Sequence, residues 1–258
     1  VRTERVELDP VGKETYSSAT GPPGNISFSD PFHWQPDGKP REPVRLCRCF
    51  FYIYISLSCV SISCIYISLM YIYLSSVGEH GLPFHETIAE YVKNNETKLV
   101  FQPGTFQIRV GYEKLKAIYE VTEIFFCNKE EAQKILSTEE QDVPTLIRQF
   151  KELGPKMPVI TNGPDGAYVV DEDDQAWHMP MYPDPAPPVD RTGAGDSFSS
   201  TFTSAIALGK TPAEALSWGP INSMNVVQHI GAQAGLLTRE KLEELLAAAP
   251  ADYKAQKI

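Results

Sequence analysis

From residue 98 onward, short apolar runs alternate with amphipathic stretches, and this alternation limits the fold more than any other feature. KLVFQ (98–102) reads as a buried strand, YEKLKAIYE (112–120) as a helix and EIFFC (123–127) as a second strand. KEEAQKILS (129–137) and DVPTLIRQFKELG (142–154) read as helices, PVIT (158–161), AYVV (167–170) and AWHMPMY (176–182) as strands. TPAEALSWG, PINSMNVVQHIG and TREKLEELLAAA follow as three helices. Strands that alternate with helices predict an α/β fold with a parallel sheet covered on both faces. YIYLSSVGEHGLPFHETIAEY (71–91) has the same strand, loop and helix character, with His80 and His85 as loop residues. We take 75–258 as the folded domain.

The chain before residue 75 is of another kind. Residues 1–49 carry seven prolines in the first 45 positions and clusters such as GPPGN (21–25), a composition of loop or disordered chain. Residues 50–74 contain no charge, and their length alone would span a bilayer. Apolar residues at 51, 53, 55 and 57, then 60 and 62, then 65, 67 and 69, instead give strand alternation with slips. Serine and tyrosine also weaken membrane transfer. Three readings stand for this run: buried or edge strands, which are favoured, a membrane span, and a segment foreign to the parent fold.

A formal charge of −10 over 258 residues, with no sustained basic stripe, excludes a partner bound mainly through a phosphate backbone. Nucleic acid is therefore not an expected partner. Five cysteines at 47, 49, 59, 64 and 127, without a CxxC pair, give neither a disulfide framework nor a zinc site. With no signal-peptide pattern at the start, the expected compartment is the cytoplasm.

Three stretches could carry chemistry. In VDRTGAGDSF (189–198), bare backbone at Gly193 and Gly195 leads into a helix whose unpaired amides and positive dipole end suit a phosphate. Asp196 cannot itself bind phosphate, but a carboxylate beside a transferring phosphoryl group can accept the proton of the attacking hydroxyl. The stretch lacks the lysine of a P-loop and the third glycine of a dinucleotide fingerprint. Its plainer reading is a capped helix start with Thr192 or Asp190 as cap. In NKEE (128–131), Asn128 and Glu131 share a helical face and could order water around magnesium, or form a capping box. TNGPDG (161–166) is either a simple turn or a glycine-rich ligand loop at a strand's carboxyl end.

In this order, NxxE, TxGxxG and DxTGAGD resemble the ribokinase family of sugar and nucleoside kinases, the PfkB carbohydrate kinases, over roughly residues 75–258. The resemblance implies a ribokinase-like, mostly parallel central sheet with helices on both faces. It implies an ATP-dependent kinase that phosphorylates a sugar or nucleoside hydroxyl, with Mg2+ and a small-molecule partner, and leaves an oligomer open. Asp196 would be the catalytic base, and the amides of Gly193, Ala194 and Gly195 the anion hole. Asn128 and Glu131 would act on the Mg2+-nucleotide phosphates through water. Thr161, Gly163 and Gly166 would lie along the nucleotide, with Thr192, Asn222 and Asn225 on its side of the site. A K+ loop would use Asp190 and Thr192 with carbonyls near Val226, His229 and Gly231.

The family's amino-terminal half normally supplies the first strands, a lid, an acidic residue for sugar hydroxyls and a Gly-Gly-Asn substrate motif, none of which is found in residues 1–70. A catalytically impaired nucleotide-binding remnant is the alternative reading. Two smaller departures are Arg191, where threonine or serine is frequent, and Gln102 in FQPGT, where asparagine or aspartate is frequent.

Overall fold

The structure, a computed structural model, describes residues 71–258 and two short strands nearer the amino terminus. Strands β1 (Thr3–Leu8) and β2 (Glu14–Ala19) pair antiparallel, Thr3 opposite Ala19 and Leu8 opposite Glu14, in a unit of their own within Val1–Pro43. Regular pairing thus replaces irregular chain over part of residues 3–19. The rest of 1–49, and residues 50–70 with their strand, membrane and foreign-segment readings, lie outside the described residues. Among the described residues no helix is long and apolar enough to cross a membrane.

In the larger unit the order is β3 (Tyr71–Leu74), α1 (Leu82–Lys93), β4 (Lys98–Phe101), α2 (Thr105–Val110), α3 (Tyr112–Val121) and β5 (Thr122–Asn128). Then come α4 (Lys129–Leu136), α5 (Val143–Lys151), β6 (Met157–Thr161), β7 (Ala167–Val170) and β8 (Ala176–Met179). Helices α6 (Ala194–Ala207), α7 (Pro212–Val226) and α8 (Arg239–Ala247) and the short β9 (Gln256–Lys257) close the chain. Strands β3 to β9 form one seven-stranded sheet in chain order. The last four residues of the uncharged run are therefore sheet, so the domain reaches back to Tyr71.

Strands β3 to β6 are parallel, whereas β6–β7, β7–β8 and β8–β9 are antiparallel. The sheet is mixed, with antiparallel strands completing the parallel set β3 to β6. For β6–β7 and β7–β8 the cause is the length of the connections: helices carry the chain back between the first four strands, while residues 162–166 and 171–175 are too few for a crossover and can only make hairpins.

Period-two alternation divides the core between the two faces. Val100, Ile124, Phe126 and Val159 pack on one side with Phe198, Phe202, Leu216, Trp218 and Ile221 of α6 and α7. Leu99, Phe101, Phe125, Cys127 and Ile160 pack on the other with Leu115, Ile118, Tyr119, Leu146, Ile147 and Phe150 of α3 and α5. Gly219-Pro220 reads as a break in the sequence, yet α7 runs through it as one helix. A Cβ on Gly219 would lie 2.5 Å from the Phe198 ring, so the glycine is where α6 presses closest and packing holds the helix together.

At the amino-terminal end of β5, buried Glu123 bridges Lys98 of β4 at 2.5 Å and Lys156, just before β6, at 2.9 Å. Burial alone would raise its pKa, but hydrogen bonds from the two lysines outweigh that and hold the carboxyl below its usual range. A depressed folded-state pKa contributes stability that is present above the ordinary glutamate range and lost as pH falls through the folded value. Because both lysines are substantially exposed, Glu123→Gln is expected to cost about 1–2 kcal/mol at neutral pH, well under the loss for a fully buried pair. Urea denaturation of the two proteins should show that difference shrinking as the pH is lowered through the carboxylate range.

Candidate active site

The carboxyl ends of β4, β5 and β6 lie side by side, and the start of α6 comes to the same end of the sheet, where open α/β sheets bind ligands. Phe198 and Phe202 set α6 on the sheet by edge contacts with Phe126 of β5. The helix starts at Gly193, whose φ of 81° is left-handed and whose added Cβ would lie 2.6 Å from the Ala232 Cβ. Only glycine satisfies both demands. Ser197 closes the first turn on the Gly193 carbonyl at 2.8 Å. The Ala194 amide leans on the Arg191 carbonyl at a long 3.3 Å, so it is partly engaged rather than free for an anion. The amides of Gly195 and Asp196 have no carbonyl four residues back to bond. Gly195 is exposed, and a Cβ there would meet nothing within 4 Å: the backbone faces open space.

Asp190 shapes the approach to this helix. Its two carboxylate oxygens accept from the Thr192 and Gly231 amides, each at 2.9 Å, and these bonds, Thr192 first, hold its pKa below the usual carboxylate range. The Val226 carbonyl accepts from the His229 amide, and the His229 ring contacts the Asn225 carbonyl. These contacts form a clamp between the loop before α6 and the loop after α7.

Asp196, exposed in the first turn, accepts at Oδ1 from Gln102 Nε2 at 2.8 Å. The Gln102 Oε1 faces the hydroxyls of Ser199, at 2.5 Å, and Tyr73, which are themselves 2.7 Å apart. None of Gln102, Ser199 and Tyr73 was a sequence candidate for the site. The one available signal was the departure at Gln102.

Asn128 is the N-cap of α4: its Oδ1 accepts from the Glu131 amide at 2.8 Å, and its own amide donates to Glu131 Oε2 at 2.9 Å. The capping box is thus real, and it uses one oxygen of each side chain. Asn128 also pairs with Thr161 across β5 and β6, which brings the second and third motifs together. After Thr161 the chain makes a hairpin turn with Gly163 exposed, but Gly166 is buried, and a Cβ there would lie 2.0 Å from the Met179 carbonyl oxygen. Gly166 therefore serves the hairpin. Asn222 is likewise buried, donating to Thr201 Oγ1 at 2.7 Å and accepting from the Leu237 amide at 3.0 Å. Asn225 donates to the Gly235 carbonyl at 2.6 Å. Both asparagines fasten the loop after α7. His85 lies in α1 rather than in a loop, buried between the Leu82 carbonyl and Gln107. Among the described residues no group of three or more histidine, cysteine, aspartate or glutamate side chains is arranged to hold a metal.

The sequence model of the pfkB family carbohydrate kinases matches residues 68–239. The chain belongs to that family. It is 45% identical to the ribokinase of Bacillus subtilis strain 168 over 62 residues, 24% of this chain and 21% of that one. To the ribokinase of Haemophilus influenzae it is 28% identical over 164 residues, 62% of this chain and 51% of the other. An ATP-dependent 6-phosphofructokinase of Thermoanaerobacterium thermosaccharolyticum is 30% identical over 123 residues, 47% of this chain and 36% of that one. The chain thus spans about half, or less, of the length of the curated relatives it matches. Among solved structures, Arabidopsis thaliana ribokinase with ribose and ATP superposes with a TM-score of 0.59 at 20% identity, over 68% of this chain and 55% of that one. The Methanocaldococcus jannaschii nucleoside kinase gives 0.58 at 24%, over 69% and 56%. An Escherichia coli protein described as a ribokinase II, solved with ATP and Mg2+, gives 0.60 at 21%, over 69% and 59%. These likenesses establish the ribokinase-like α/β fold. A kinase of this family is expected to use ATP with Mg2+.

The two glycines should respond differently to a methyl group. Gly193→Ala is expected to destabilise the pfkB domain by about 1–3 kcal/mol, from left-handed strain and overlap with Ala232, read by chemical denaturation. Gly195→Ala should leave stability within about 0.5 kcal/mol. The same substitution should weaken the thermal stabilisation given by ATP with Mg2+, since the methyl enters the open space beside the helix start.

Proposed function

We propose that this chain is the nucleotide-binding part of an ATP-dependent kinase that transfers the γ-phosphoryl group to a hydroxyl of a sugar or nucleoside. One observation carries the reading: an exposed carboxylate, Asp196, stands in the first turn of α6 directly after Gly195, which presents bare backbone to open space. Family membership and the ribokinase-like fold support it.

The residues fit a nucleoside triphosphate. Unpaired first-turn amides and the positive end of α6 suit a phosphate, and Gly195 leaves room for one. Mg2+, when bound with the nucleotide, supplies charge neutralisation on the phosphates. The second oxygen of Glu131, outside the capping box, is the candidate for holding that ion through water, and Asn128 keeps Glu131 in place. Asp196 takes the proton from the acceptor hydroxyl. The amides of α6, with Gly195 first, hold the migrating phosphoryl group, so that the reaction needs little beyond positioning and charge stabilisation. Asp190 keeps the loop before α6 against Gly231, which fixes the direction of those amides.

The family's substrate-binding motifs are not found in residues 1–70, and this supports a second reading, a remnant that binds nucleotide without turnover. The test is ADP release on a panel of sugars and nucleosides. Turnover on at least one acceptor is expected, and Asp196→Asn should lower kcat on the order of 10²–10⁴-fold while ATP still raises the melting temperature. Wild-type stabilisation by ATP without turnover on any acceptor would favour the remnant. Full turnover by the Asp196 variant would remove the base assignment.

A further inference from the structure

We propose that Gln102 is the positioning residue for the proposed base: its side-chain amide anchors Oδ1 of Asp196 and leaves Oδ2 to meet the acceptor hydroxyl. This rests on the reading of Asp196 as base and adds a residue to it.

Orientation follows from donor and acceptor chemistry. Gln102 presents one acceptor and two amide hydrogens on a planar group. Its oxygen lies among the Ser199 and Tyr73 hydroxyls, which can both donate, and its nitrogen faces a carboxylate, which can only accept. A flipped amide would set oxygen against oxygen at Asp196. The 2.8 Å bond is charge-assisted, and it joins the end of β4 to the first turn of α6, two elements 94 residues apart in the chain.

The support beneath Gln102 is rigid. Its backbone amide extends the β3–β4 ladder by donating to the Leu74 carbonyl at 2.9 Å. Gly104 lies so close to Ser76 that an added Cβ would sit 2.0 Å from the Ser76 Oγ. Gln107 ties the two loops together: its Oε1 accepts from the Gly104 and Val77 amides and its Nε2 donates to the Ser75 carbonyl. Asparagine, one methylene shorter at the same backbone position, would fall short of Asp196. A carboxylate free to rotate offers the incoming hydroxyl a poor share of productive geometry, and misplacement by about 1 Å can cost 10²-fold in rate.

Four variants of the full chain test this. Gln102→Met keeps the length and loses both polar atoms, while Gln102→Glu keeps an oxygen for Ser199 and Tyr73 but turns an acceptor toward Asp196. Both are expected to lower kcat on the order of 10–100-fold, with the KM for ATP and the melting temperature unchanged. A purely structural Gln102 would instead let Glu behave as wild type, and wild-type kcat in both variants, beside an inactive Asp196→Asn, would overturn the proposal. If Asp196→Asn is also fully active, it is the base assignment that fails. Side-chain amide resonances decide the contact even in a chain without turnover. The Gln102 NH2 signals are expected to move on Asp196→Ala, and signals that stay put would overturn the proposal.

Discussion

The turn into α6 is the constraint on which the site depends. Gly193 must be left-handed for the chain to leave the loop and begin a helix within one residue, and it must lack a side chain because Ala232 lies against it. Asp190 then fixes the loop that carries Ala232 by accepting from Gly231, while also holding Thr192. Together they aim the first-turn amides and Asp196 into one volume, and the depressed pKa of Asp190 is the electrostatic trace of that work.

The two ends of the sheet divide the tasks. At the amino-terminal end of β5, Glu123 is buried between two lysines, its oxygens committed to structure. At the carboxyl ends of the same strands, Gln102, Asn128 and Thr161 are only partly buried, and their neighbours Asp196 and Gly195 are exposed. A carboxylate held by two cations is a poor proton acceptor, whereas one held by a neutral amide on a single oxygen keeps a lone pair available. The difference lies in the partners each backbone end offers, since both carboxylates sit on equally regular elements.

Much of this was legible in the sequence. Buried strands such as 98–101 and 122–128 are short apolar runs, and α3 to α5 have clear helical periodicity, so local pattern and tertiary packing agree. The glycine motif was legible because its bareness has a mechanical cause at Gly193 and an open face at Gly195. Sequence failed where the outcome depends on contacts far along the chain. Motif spacing cannot reveal that Asn222 is buried on Thr201 or that Gly166 is pressed under Met179. The α7 helix continues through Gly219-Pro220 for a similar reason, the approach of Phe198 from α6. Tyr73 was hidden in an uncharged run whose last four residues are sheet.

Exposure of Asp196 raises the question of which nucleophile would reach it as the proposed base. Asp196 and Gly195 are open on the described side of the site, and water is the most abundant hydroxyl there. A carboxylate poised beside a bound triphosphate serves water and sugar alike, so selectivity for an alcohol has to come from whatever excludes solvent and holds the acceptor. Within the described residues Gln102 donates to the carboxylate and is in turn held by Ser199 and Tyr73. They order the base without forming a wall against water. On the proposed reading residues 71–258 would hold the nucleotide and the base, and discrimination between phosphorylation and hydrolysis would have to come from a group placed over Asp196.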